Sequence, residues 1–335
     1  MLYRNYYSFW RIILLFSCSK IVFIFIIFFV FFLVGCFNEN SIDYKNNNYD
    51  MYISDLERET ENASPELQIK LGNKFFRGSG VNKDEQRAFK WYKKAADQND
   101  DVAQCIVAWM YHEGRGVEKN YSKALEYYTK SAEQENVDSQ FNLASMYASG
   151  EGVSRDDKEA FKWYKKAADN GDVKAQNIIG IFYSEGIGVE KDFDKSLKYL
   201  NKSSESGSSH SQLLLGYMYA EGKSVVRDDK KAFEYFEKSA KQGNASAQLE
   251  LAWAFENGIG IQQNYDKAIE YYKKSADKNN AIAIYSLFDI YEKGLGGEKS
   301  IAKSRYWLNK FKSDEEMEEA KKTREKAFED LRKGV

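Results

Sequence analysis

Apolar residues along most of this chain fall into two short stripes that alternate with a glycine turn. Between Asn142 and Asp172 the first stripe holds Leu143 and Tyr147, four residues apart. The second holds Ala160, Trp163, Tyr164 and Ala167. Both spacings put their members on one face of a helix. Between the stripes stand Gly150 and Gly152, followed by Asp156. Glycine has no Cβ and suits the left-handed residue that ends a helix. Aspartate suits the N-cap of the next helix, where its side chain accepts an amide hydrogen bond worth about 1 kcal/mol. The pattern predicts helix, turn, helix.

The same unit recurs with a period of 36 residues. Its first glycine is Gly78, Gly114, Gly150, Gly186, Gly222, Gly258 and Gly294; two residues later come Gly80, Gly116, Gly152, Gly188, Ser224, Gly260 and Gly296. An aromatic residue always precedes the first glycine by three, from Phe75 and Tyr111 to Tyr291. N-cap residues follow it by six: Asp84, Asn120, Asp156, Asp192, Asp228, Asn264 and Ser300. A small residue at Gly72, Ala108, Ala144, Gly180, Gly216 and Ala252 allows close approach of a neighbouring helix. A lysine near each second helix's C-terminus, such as Lys166 or Lys202, suits the dipole there, and Gly171, Gly207 or Gly243 supplies the exit. No copy can bury its apolar face alone, so stability resides in stacked neighbours. The expected fold is all-α: a right-handed α/α superhelical solenoid of seven helix-turn-helix repeats.

These residues resemble the Sel-1-like repeat, a relative of the tetratricopeptide repeat, over Ser64 to Lys312. Departures are local: Ser196, Ser203 and Ser204 replace alanines in the fourth copy, Ser224 replaces a glycine in the fifth, and the seventh decays after Gly297. The resemblance implies an adaptor that holds other proteins, without specifying which.

The flanks read differently. Residues 1–35 carry Arg4, Arg11 and Lys20 and no acid, and 21–35 form an uncharged apolar run. Such a run fits a signal-peptide core better than a spanning helix of about 20 residues. Leu33-Val34-Gly35-Cys36 looks like a bacterial lipobox, which would make Cys36 the lipidated N-terminus; the alternative is an uncleaved anchor. Stable anchoring would take more than one acyl chain. With Phe37 next, outer-membrane sorting is expected in a Gram-negative cell, on its periplasmic or outer face. Residues 36–63 are polar, asparagine-rich and without a sustained apolar stripe, and read as a flexible tether. Ser64 and Pro65, the one proline, open the array as N-cap and first helical residue. Residues 313–335 read as one charged capping helix with a narrow stripe of Met317, Ala320, Ala327, Phe328 and Leu331. A coiled-coil seam is the alternative, but the stripe spans about two heptads.

Positions that vary while the packing positions repeat mark a candidate binding face. Five residues before the first glycine lie Asn73, Trp109, Ser145, Ile181, Tyr217, Trp253 and Asp289. Nine before it the row includes Phe141 and Tyr285, and two before it Phe76, His112 and Glu256. The three rows share one helical face, the concave one by resemblance to tetratricopeptide arrays. Trp109, Phe141, Tyr217, Trp253 and Tyr285 are thus the candidate groove for a peptide or protein segment, since aromatics dominate binding anchors. Packing between copies is the competing account of each.

The rest of the composition adds mostly exclusions. Without the first 35 residues the chain carries 46 basic against 51 acidic residues, which argues against nucleic acid. Two histidines, His112 and His210, make neither a metal site nor a triad, and the Gly-x-Gly pairs lack the third glycine of a dinucleotide loop. Three cysteines, Cys18, Cys36 and Cys105, form no disulfide framework, and Cys105 reads as a small apolar filler. Some cysteine-rich relatives of the repeat family are linked to β-lactam hydrolysis. Ser275 and Ser300 each begin a Ser-x-x-Lys, but the companion motifs are missing. The expected protein is a membrane-tethered scaffold with no enzymatic activity, cofactor, metal or small-molecule substrate. A secreted or surface-exposed host-interaction or immunity factor is the alternative, and a β-lactamase-like hydrolase a remoter one.

Overall fold

The computed structural model describes residues 49–333 other than 298; residues 1–35 and Cys36 lie outside it. Among the described residues are sixteen helices and no strand. The chain is an all-α, α/α solenoid of seven repeats followed by a C-terminal helix. None of the described helices is long and apolar enough to cross a membrane. The chain divides into two compact units after Ala95.

The first unit corrects the flexible-tether expectation over 49–63; residues 36–48 lie outside the described residues. Residues 49–60 form a helix. Ile53 and Thr60 are buried at helical spacing, a stripe too short to stand out among the asparagines. The side-chain amide of Gln68 donates to the carbonyls of Thr60 and Glu61 at 3.3 and 3.2 Å. Trp91 Nε1 donates to Glu57 at 3.2 Å, and Lys94 pairs with Glu61. The next helix, Pro65–Arg77, starts at proline as expected, but Ser64 makes no side-chain cap; its carbonyl accepts from Leu67 and Gln68 instead.

In the second unit, helices of 12 or 13 residues alternate from Asp101–Glu113 to Ala281–Lys293, followed by the shorter Ile301–Leu308. Each second helix is capped as expected: the side chains of Asn120, Asp156, Asp192, Asp228, Asn264 and Ser300 accept from amides in the first turn. First helices are capped too, by Asp100, Asn136, Asp172, Ser208, Asn244 and Asn280. The main contacts join helices consecutive in sequence. Their cores hold fully buried Met110, Leu143, Met146, Ile179, Leu215 and Leu251.

Helices are fastened to one another in three further ways, two between neighbouring repeats and one within a repeat. Buried glutamines recur every 36 residues, and the amides of Gln104, Gln140, Gln176 and Gln248 donate to the carbonyls of Ala96, Ala132, Ala168 and Ala240 in the preceding helix. Ser131, Ser203, Ser239 and Ser275 donate to the carbonyls of Asp101, Val173, Ser209 and Ala245, thirty residues back. At Gly152, Gly188, Gly260 and Gly296 the second glycine of the turn lies directly on the second helix of the preceding repeat. At Gly188, with φ +65°, a Cβ would fall on the carbonyl oxygen of Asp157. Ser224 takes the same left-handed conformation at φ 56° and donates its hydroxyl to Asp194 at 2.8 Å.

Candidate functional site

First helices carry the variable rows, and the five groove candidates sit in different repeats. Trp109 is half-buried, with the Arg115 guanidinium 5.9 Å from its ring. Phe141 is half-buried and meets Tyr164 edge-on at 5.2 Å. Tyr217 meets Phe236 edge-on at 5.4 Å and donates its hydroxyl to Glu250 of the next repeat at 2.8 Å. Burial pushes both partners up, Tyr217 well above its ordinary value and Glu250 above the usual carboxylate range. These three keep part of their surface in solvent.

Trp253 and Tyr285 are engaged by the chain's own C-terminal helix, Asp314–Lys333. That helix packs on Ala281–Lys293, the first helix of repeat seven, and sends Arg324 back to repeat six. Arg324 is 2% exposed. It donates to Glu256 Oε1 at 2.7 Å, to Ser286 Oγ at 2.6 Å and to Asp289 Oδ2 at 3.3 Å. Its guanidinium lies 5.8 Å from the Trp253 ring and 5.9 Å from that of Tyr272, whose hydroxyl also bonds Glu256. Burial pulls the arginine's value down, but Tyr272, Glu256 and Asp289 outweigh it and raise the group above its ordinary range. Tyr285, 8% exposed, lies against Phe288. The helix thus lies along the variable rows of the last two repeats as well as closing the array.

Sequence reading missed this cluster. Its signal was present: Arg324 stands on the apolar stripe between Ala320 and Ala327, and Glu256 and Asp289 stand in rows that elsewhere hold Phe76 or Trp109. A charge on each of two apolar faces is a pair waiting to be matched, since a buried charge is tolerable only with partners.

Groups that suggested chemistry are occupied structurally. Ser275 is fully buried and donates to the Ala245 carbonyl at 2.9 Å, while Lys278 bonds the Gly243 carbonyl. Ser300 is a helix cap. Burial pushes the Cys105 thiol up to about 11, so it is not a thiolate at neutral pH. His112 sits between Glu113 and Glu151, 2.9 Å from each, and His210 is exposed. Among the described residues no three potential ligands gather for a metal.

The Sel1 repeat family matches seven consecutive segments: 65–100, 101–136, 137–172, 173–208, 209–244, 245–280 and 281–312. The chain belongs to the Sel1 repeat family. Two solved structures are notably similar to this Sel1 repeat protein. One is c5321, a protective antigen of uropathogenic Escherichia coli with this fold, at 34% identity and a TM-score of 0.73 over 77% of the chain. The chain spans 55% of that protein's length. The other is a Sel1 repeat protein from Oxalobacter formigenes, at 34% identity and a TM-score of 0.65, covering 76% of this chain and 99% of that one. No protein of curated function is significantly similar. Sel1 arrays generally act as scaffolds for protein–protein interaction and typically carry no enzymatic activity.

Proposed function

We propose that this Sel1 repeat protein is a membrane-tethered scaffold that holds a peptide or extended protein segment on the face carrying Trp109, Phe141 and Tyr217. One observation carries the reading. The positions that build the array repeat from copy to copy, whereas this face varies and keeps half-buried aromatics in contact with solvent. Trp253 and Tyr285 belong to the same rows and form the end of the face that the C-terminal helix lies along. A photo-crosslinking residue placed at 109 or at 217 in cells should trap the same partner, while one at Lys158, exposed on a second helix, should not. Equal trapping at all three positions, or at none, would defeat the reading.

Tethering rests on the apolar run before Cys36 and on Leu33-Val34-Gly35-Cys36. Incorporation of labelled fatty acid that disappears in Cys36→Ala supports a lipid anchor; persistence of label would remove it. The likeness to c5321, a protective antigen, supports a surface-facing array, because an antigen that protects must be reached from outside. Cleavage of the array by protease on intact cells distinguishes that orientation from a periplasmic one.

A further inference from the structure

We propose that the face holds one anchor pocket, between repeats four and five, that accepts an aromatic side chain of the docked segment. The proposal rests on the docking reading above and specifies what the partner must bring. The pocket arises from one departure in the repeat. Five repeats place an aromatic ring at the same point of the second helix: Tyr92, Tyr128, Tyr164, Phe236 and Tyr272. Repeats four and seven have leucine there, Leu200 and Leu308. In repeat four the seat for a ring is nevertheless kept. Gly72 lies beneath Tyr92, where a Cβ would come 2.7 Å from ring carbon Cε1, and Gly180 lies beneath Leu200 at 2.6 Å in the same way.

Tyr272 shows where the outer end of such a ring belongs: its hydroxyl bonds Glu256, and Arg324 bridges it to Ser286 and Asp289. Two repeats earlier those three positions are Ser184, Leu214 and Tyr217. All three line a solvent-open pocket of about 260 Å³, together with Leu200, Met218 and Phe193. An apolar cavity of roughly 150 Å³ takes up benzene, so one ring fits. The polar groups of its inner wall are committed: Ser184 Oγ donates to the Ile181 carbonyl at 2.9 Å, Ser196 Oγ to the Gly180 carbonyl at 2.7 Å, and Tyr217 to Glu250; Glu185 and the ion-paired Glu221 and Lys223 also line it. Around Leu200 the surface left by the missing ring is apolar, formed by Leu200, Leu214, Met218 and Phe193. The occupant is therefore a phenyl or phenol side chain rather than a charged one.

The probe is p-cresol, a tyrosine side chain without its backbone, titrated into the full chain while the methyl resonance of Met218 is followed. A saturable shift is expected. Leu200→Phe supplies the ring from within; it should abolish the shift, raise the melting temperature by a few degrees and lower trapping of the partner at position 109 about tenfold. No saturable shift, an equal shift in Leu200→Phe, or failure of that variant to fold would each overturn the pocket. Undiminished trapping at 109 by folded Leu200→Phe would overturn the anchor and leave the docking face standing.

Discussion

Glu250 stands in a row that elsewhere holds Ile106, Ile178 and Leu214, and it pulls the hydroxyl of Tyr217 across the joint between repeats five and six. Burial raises its carboxyl above the ordinary range, against the pull of that hydrogen bond. A carboxyl that holds its proton more tightly when folded contributes stability below its unfolded value and loses it as pH rises through the folded one. Glu250→Gln should therefore raise the melting temperature at pH 7. The gain should vanish below about pH 4, where the native glutamate is protonated in both states; a pH series of thermal melts checks it. Single residues of this kind were the least legible part of the sequence. The buried glutamines are an example: they recur with the period, yet a polar residue in a helix is ordinarily assigned to the surface. Their environment explains two exceptions. Gln104, Gln140 and Gln212 accept from Gln134, Asn170 and Gln242. At the equivalent places stand Ser206, too short to reach, and Lys278, which bonds Gly243. The Gln176 and Gln248 side-chain oxygens are left without a partner among the described residues.

At the scale of elements, helix starts and stops were plain from the chain, because caps and glycines act within a few residues. What the elements touch was harder to read. The helix at 49–60 was hidden by composition, since two buried residues suffice to seat it. The C-terminal helix was foreseen, but its target was not, because Arg324, Glu256 and Asp289 are far apart in sequence. Arg324→Met would leave the buried Glu256 carboxylate without a counter-charge and Asp289 with Lys293 alone, a loss of about 3–5 kcal/mol. The expected outcome is release of Asp314–Lys333, seen as fast hydrogen exchange and early proteolysis there while repeats two to five stay protected. Arg324→Lys should rescue poorly, because one ammonium cannot replace a planar fork that serves Glu256, Ser286 and Asp289 together.

For the molecule as a whole, nearest-neighbour contact is the governing fact. Excising residues 137–172, one full repeat, should leave a cooperative helical protein with unchanged helicity per residue by circular dichroism. Excising 137–154 joins unlike surfaces and should abolish the cooperative melt. That the chain is built in this way could be read from the period alone, because seven copies repeat the same demands. The partner could not be read so directly, since recognition lies where the copies differ.

The glycine that touches the previous helix has a consequence for how such a chain can change its length. At Gly188 and Gly260 backbone meets backbone, with no side chain to act as a shim. Each joint is gauged from the one before, so an error of pitch cannot be spread along the row. Length variants of this protein should therefore arise by gain or loss of whole cassettes, and a change of one or two residues in a turn should be purged.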